Sequence, residues 1–297
     1  MWREHWLELS AAVSDVAARF EDASGVTHPT ALIARVHLFA TINDEPIVWA
    51  CVPAHWPREL RPAALPSQPT MSRRVRTRAF DAFMDALGRR LAGRVPPALF
   101  KRLDGKAIPV KAHSKDPDAR WGRGAGQMVK GYKLHAVWGD GAMPEAFEVA
   151  PLNVSEQAAA ARLLPRLAGE GYLLADRLFD DSELFDAAHE NGHRLITPRP
   201  KPGTGLGHTY QSPHRVACID LLEPGVCRPC RFGRSLVEAR DQIERDFANL
   251  VSFGGGMIDP PAWVRREGRV SRWVHAKLLI NAARIRVNRR RKQTDAA

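Results

Sequence analysis

The order of secondary-structure signals between residues 96 and 199 is what most narrows the folds open to this chain. Residues 100–110, 131–138 and 146–150 read as successive strands, rich in β-branched and aromatic side chains. The glycine-rich stretch Gly122-Arg123-Gly124-Ala125-Gly126 reads as a loop between the first two of them. A helix is predicted over 155–167, with Ser155 as its cap. Tyr172-Leu173-Leu174-Ala175 is then a short continuous apolar run, the kind a strand shows when both its faces are covered. A second helix over about 181–191 and a strand over 193–197 complete the series. The expectation is an α/β fold, with a mixed five-stranded sheet and flanking helices.

The flanks differ in texture. Residues 1–95 read as a helical region and a candidate for binding DNA. In it a proline-punctuated connector over 53–69 leads to a basic helix carrying Arg73, Arg74, Arg76 and Arg78, with Thr70 or Ser72 as its cap. That pattern suits a helical bundle first, and is compatible with a helix-turn-helix reader. Residues 198–233 are rich in Pro and Gly and read as an insertion of loops and short strands. Late helices are predicted over about 235–253 and 262–290, the second entered through Pro260-Pro261. The predicted core is therefore 96–199 with 234–292, interrupted by the insertion and followed by a tail over 293–297.

A net charge of +11 points to a polyanionic partner. The arginines are grouped, at 73–78, 265–272 and 284–291, which favours a nucleic-acid footprint over even solubilisation. No apolar run reaches the roughly 20 residues a membrane span needs, and the first residues lack a secretory signal's apolar stretch. With few cysteines, a cytoplasmic protein with reduced thiols is expected. Cys227 and Cys230 have the spacing of half a zinc site, for which His208, His214 or Cys218 are candidate partners. The missing second tight pair favours ordinary loop cysteines.

Three carboxylates stand apart. Asp176 follows the apolar strand 172–175, at the carboxyl end where chemistry in α/β sheets concentrates. A capping role falls more naturally to Asp180 or Asp181 just after it. Asp104, in Leu103-Asp104-Gly105-Lys106, reads equally as a hairpin turn and as a metal ligand. On a helix over 235–253, Leu236, Ile243, Phe247 and Leu250 form one apolar stripe. Arg240, Glu244 and Val251 fall roughly 40–80° round from it, at the shoulder of the buried face. The competing reading of Glu244 is a surface pair with Arg240.

In order and spacing, Leu103-Asp104-Gly105-Lys106, Leu173-Leu174-Ala175-Asp176-Arg177 and Arg240-x3-Glu244 resemble the three acidic motifs of bacterial insertion-sequence DDE transposases. The similarity spans about 100–285 and includes Ser114-Lys115-Asp116-Pro117-Asp118-Ala119 and Lys130-Gly131-Tyr132-Lys133-Leu134-His135. The group carries a Y-x2-R-x3-E-x6-K signature; here Val237 and Val251 stand at the tyrosine and lysine positions. The resemblance implies a ribonuclease-H-like core in which Asp104, Asp176 and Glu244 hold two Mg²⁺ or Mn²⁺ ions. It implies cleavage at element ends and transfer of the freed 3′-OH into target DNA. Double-stranded DNA would be the partner, and a homodimer one expected state. Arg240, Lys130, Lys133, Arg245 and Lys277 would orient Glu244 or line the DNA track. The substituted signature also raises an alternative, a catalytically impaired DNA-binding derivative.

Overall fold

The computed structural model describes residues 2–124, 126–201, 203–223, 231–253, 256–257 and 259–295. The chain forms two compact units, one of residues 95–248 and one of residues 1–94 with 249–297.

The N-terminal helices are α1 (Trp2–Ala17), α2 (Thr30–Ile42), α3 (Ile47–Ala50), α4 (Gln68–Arg74) and α5 (Arg78–Ala92). The expected basic helix is split, with Arg73 and Arg74 ending α4 and Arg78 opening α5. The caps are Ser67, which accepts from the Thr70 N–H, and Thr77, which accepts from the Phe80 N–H. A cap at Thr77 breaks the run because its oxygen offers the backbone a partner outside the helix. Phe80, Phe83, Met84 and Leu87 share the buried face of α5, as their spacing predicts.

The second unit is built on a six-stranded sheet of β1 (Phe100–Pro109), β2 (Arg120–Gly124), β3 (Gln127–Trp138), β4 (Ala146–Pro151), β5 (Gly171–Leu174) and β6 (His193–Ile196). The order is β2-β3-β1-β5-β6, with β4 also on β3. The extra strand is β2, which takes in Gly122–Gly124 of the glycine-rich stretch and pairs antiparallel with β3. β3 is antiparallel to β1, β2 and β4, whereas β5 is parallel to β1 and β6. A Cβ at Gly131 would lie 2.3 Å from the Ile108 carbonyl oxygen, so this crossing of β3 over β1 admits glycine alone.

Helices α6 (Glu156–Leu163) and α7 (Ser182–Glu190) connect the later strands. Leu163, Leu173, Leu174, Phe179, Phe185 and Leu195 form their common buried core. This mixed sheet with flanking helices is the ribonuclease-H-like arrangement expected. The insertion contains a helix not foreseen, α8 (Pro213–Leu222), capped by Ser212. The single late helix is two, α9 (Arg231–Arg240) and α10 (Gln242–Val251).

The last helix, α11 (Glu267–Asp295), starts after Pro260-Pro261 rather than on it. It buries Val270, Val274, Leu278 and Leu279 and packs on α1, α2 and α5. Residues 249–297 therefore group with the N-terminal helices, whereas the sequence placed 234–292 with the sheet. No helix among the described residues is long and apolar enough to cross a membrane.

Candidate active site

Strand register brings the two aspartates together. β1 and β5 run parallel, with Arg102 opposite Leu174. Two residues further along each chain are Asp104, still within β1, and Asp176, just past the end of β5, and both line one cleft. Neighbouring strands lie about 4.8 Å apart, and a step of two returns a side chain to the same face. Asp104 is thus no hairpin turn: its Asp-Gly pair lies within the β1–β3 ladder, opposite Ala136 and His135. The long tertiary ladder overrides the local turn preference.

The cleft is open, about 590 Å³ in volume, and lined by Asp104, Asp176, Lys133, Glu156, Trp121 and Arg123. Asp104 is half-buried, and burial pushes its carboxyl up to about 6. The Gly105 N–H donates to its Oδ1 at 2.7 Å and opposes that rise. The charges of Asp176 and Glu156 add to it, and the Arg240 guanidinium counters. Asp176 accepts from the Leu178 N–H through Oδ1 at 2.8 Å, capping a short 3-10 turn, and its carbonyl accepts from the Thr197 hydroxyl. The cap of α7 is Asp181, while Asp180 pairs with Arg215 at 2.6 Å.

Glu156, in the first turn of α6, was not singled out from the sequence. Its Oε1 accepts from Lys133 Nζ at 2.5 Å, and its Oε2 is buried without a partner. The signal available was an acid just behind the Ser155 cap, which more often serves only the helix dipole. Lys133 is therefore engaged by a carboxylate. A Cβ at Gly105 would come within 2.7 Å of its Cδ, so the glycine leaves room for that side chain.

Glu244 does not line the cleft; it is exposed on α10. The helix is interrupted at Asp241, where the Asp241 and Glu244 N–H groups donate three residues back, to Glu238 and Asp241. Arg240 and Glu244 consequently sit on different helices and form no ion pair with each other. Arg240 acts on Asp104 instead, with its Nε buried and unpartnered. Leu236, Ile243 and Leu250 are buried as their stripe predicts. Asp246, also missed in the sequence, pairs with Arg102 at 3.2 Å, so α10 lies over the face of β1 that carries Asp104.

The remaining candidates scatter. Lys130 Nζ donates to the Ser114 carbonyl at 2.7 Å, and Tyr132 donates to Asp116 Oδ2 at 2.9 Å. The two stretches that resembled transposase sequence thus bind each other and fix the segment after β1. Arg245 is exposed, its guanidinium donating to Gln242 at 3.3 Å. Lys277 is fully buried in the helical unit, where it donates to the Thr41 carbonyl at 3.0 Å and pairs with Asp44 at 2.5 Å. It offers no charge to a DNA strand. Cys227 and Cys230 lie outside the described residues; Cys218 is buried and donates weakly to the Thr197 carbonyl, and His214 stacks on His189.

Asp104 and Asp176 fit a hard divalent cation, which takes oxygen ligands and relieves crowded negative charge. A third donor is not in place: among the described residues no three His, Cys, Asp or Glu side chains gather to hold a metal ion.

Residues 103–279, more than half of the chain, match the family model described as Transposase DDE domain. No curated protein and no solved structure matches the chain.

Proposed function

The chain belongs to the transposases with a DDE domain, a family of DNA phosphoryl-transfer enzymes, and from that premise we propose that it cuts DNA at element ends and joins the freed 3′-OH to target DNA. The proximity of Asp104, on β1, to Asp176, just past the end of the parallel strand β5, carries this reading. Metal use is typical of the family. Asp104 and Asp176 would hold the divalent ions, Mg²⁺ or Mn²⁺, with Glu244 as the third donor. When bound, such ions polarise the phosphodiester and activate the attacking oxygen.

The side chains have separate tasks. Asp104 must be ionised, and Arg240 favours its charged form. Lys133 holds Glu156 at the cleft wall and so limits the negative charge a phosphate meets. Arg123 and the exposed Trp121, on β2, offer a phosphate contact and a stacking face beside the aspartates. Arg245, exposed and donating to Gln242, would meet backbone phosphate. To reach the aspartates Glu244 would have to turn inward, and the tight turn at Asp241 is where the backbone can give. Double-stranded DNA is the partner this chemistry requires, and joining paired ends calls for two copies of the chain.

The outward position of Glu244, together with valine at signature positions 237 and 251, favours a second reading: a DNA-binding derivative with impaired catalysis. Strand cleavage of end-sequence DNA with Mg²⁺ or Mn²⁺ separates the two. Product from wild type and none from Asp176→Ala supports the enzyme. Binding without product from either supports the derivative.

A further inference from the structure

The helical unit contains a cavity of about 170 Å³ whose lining includes none of the candidate carboxylates. Its size is close to the roughly 150 Å³ known to admit a benzene-sized ring. Ile47, Val48, Val75 and Trp263 give it apolar walls, and Trp263 is 37% exposed. One polar point interrupts them. His37 is 6% exposed and lines the cavity, with Nδ1 buried and unpartnered, while Nε2 lies 3.5 Å from the Arg272 carbonyl.

The lining is also strongly cationic. Arg76, Arg269 and Arg272 all line the cavity, and among the described residues none of them forms an ion pair with a carboxylate; Arg76 donates to the Ser72 hydroxyl at 3.4 Å and Arg269 to the Trp263 carbonyl at 2.8 Å. Arg272 is half-buried; burial lowers its pKa, Asp81 opposes the shift, and Arg76 and Arg269 reinforce it. Three guanidiniums with no ion-paired carboxylate among the described residues, set at a ring-sized apolar cavity, form a composite receptor. The walls suit a planar ring, the imidazole suits the hydrogen-bonding edge of that ring, and the arginines suit a phosphate.

We propose that this cavity binds one nucleotide of a DNA strand, base inside and phosphate among the arginines. The choice of DNA over a free nucleotide rests on the proposed function. A base inside a duplex is stacked and paired, so the site takes an unpaired or extruded nucleotide. Trp263 supplies the stacking face and His37 the polar contact.

The test needs no catalysis. Fluorescence anisotropy of the full chain, without divalent ions, compares a labelled thymidine oligonucleotide of about eight residues with an abasic strand of equal length. The thymidine strand is expected to bind about tenfold more tightly. Trp263→Ala should abolish the preference and Trp263→Phe retain most of it, with unchanged circular dichroism for both. Arg76→Gln should weaken both strands and lower the salt dependence by about one charge. Equal affinity for the two strands in wild type, or a preference that survives Trp263→Ala, overturns the proposal. Displacement of the strand by an equal concentration of thymidine monophosphate overturns it in favour of a free nucleotide. A chain that cleaves DNA yet shows no base preference refutes this site alone. Trp263-dependent binding without cleavage refutes only the catalytic reading.

Discussion

Burial raises the Asp104 carboxyl to about 6, and Asp176, just past the end of the neighbouring parallel strand, adds to the rise. Two acids placed so that one resists ionisation are poorly suited to a stability role and well suited to a cation.

The first consequence is a pH dependence. Below about pH 6 Asp104 holds a proton that a cation must displace. Calorimetry in buffers of different ionisation enthalpy should show proton release on Mn²⁺ binding at pH 5.5 and little at pH 8. Cleavage should climb as pH rises through about 6. The stability term has the opposite slope: a carboxyl raised from 3.8 favours the fold most below pH 3.8 and loses that contribution as pH rises to about 6.

The Lys133–Glu156 pair should tune that midpoint. Lys133→Met leaves Glu156 uncompensated near Asp104 and moves the proton-release midpoint upward. Glu156→Gln removes a like charge and moves it downward. Titration of the Asp104 carboxyl by NMR reads both, and shifts of the same sign would refute the arrangement.

Two buried histidines set the acid limit. Burial chiefly lowers His37 to about 4 and His135 to about 3. Each is neutral when folded and takes up a proton on unfolding below its ordinary 6.5. Their contribution is complete above pH 6.5 and is lost as pH falls towards 4 for His37 and 3 for His135. For His37 the loss is on the order of 3 kcal/mol. Urea midpoints should fall over that window, and His135→Leu should flatten the fall.

Lys277 is expected to matter for folding and not for DNA. Lys277→Met should cost about 1–3 kcal/mol, below the range for a fully buried pair because Asp44 keeps part of its hydration. Equal DNA affinity and a lower denaturation midpoint are the expected results.

How legible this was depends on the range of the interactions. Asp176 could be placed because the run 172–175 is continuous and apolar and Asp176 follows it directly, two residues past the end of β5. Asp104 carried a contrary local signal, and only the ladder with β3 decided against the turn. The apolar stripe of Leu236, Ile243 and Leu250 was legible from period alone. The break at Asp241, which separates Arg240 from Glu244, was not, since aspartate is tolerated within helices as well as at their ends. Glu156 and Asp246 were invisible for another reason: their partners, Lys133 and Arg102, lie 23 and 144 residues away.

Mn²⁺ binding followed by electron paramagnetic resonance tests the Asp104–Asp176 site most directly, without DNA and without turnover. Wild type is predicted to bind Mn²⁺, and Asp104→Asn and Asp176→Asn, both folded, are each predicted to weaken binding by at least about tenfold. Unchanged binding in both variants would contradict a metal site at these two aspartates.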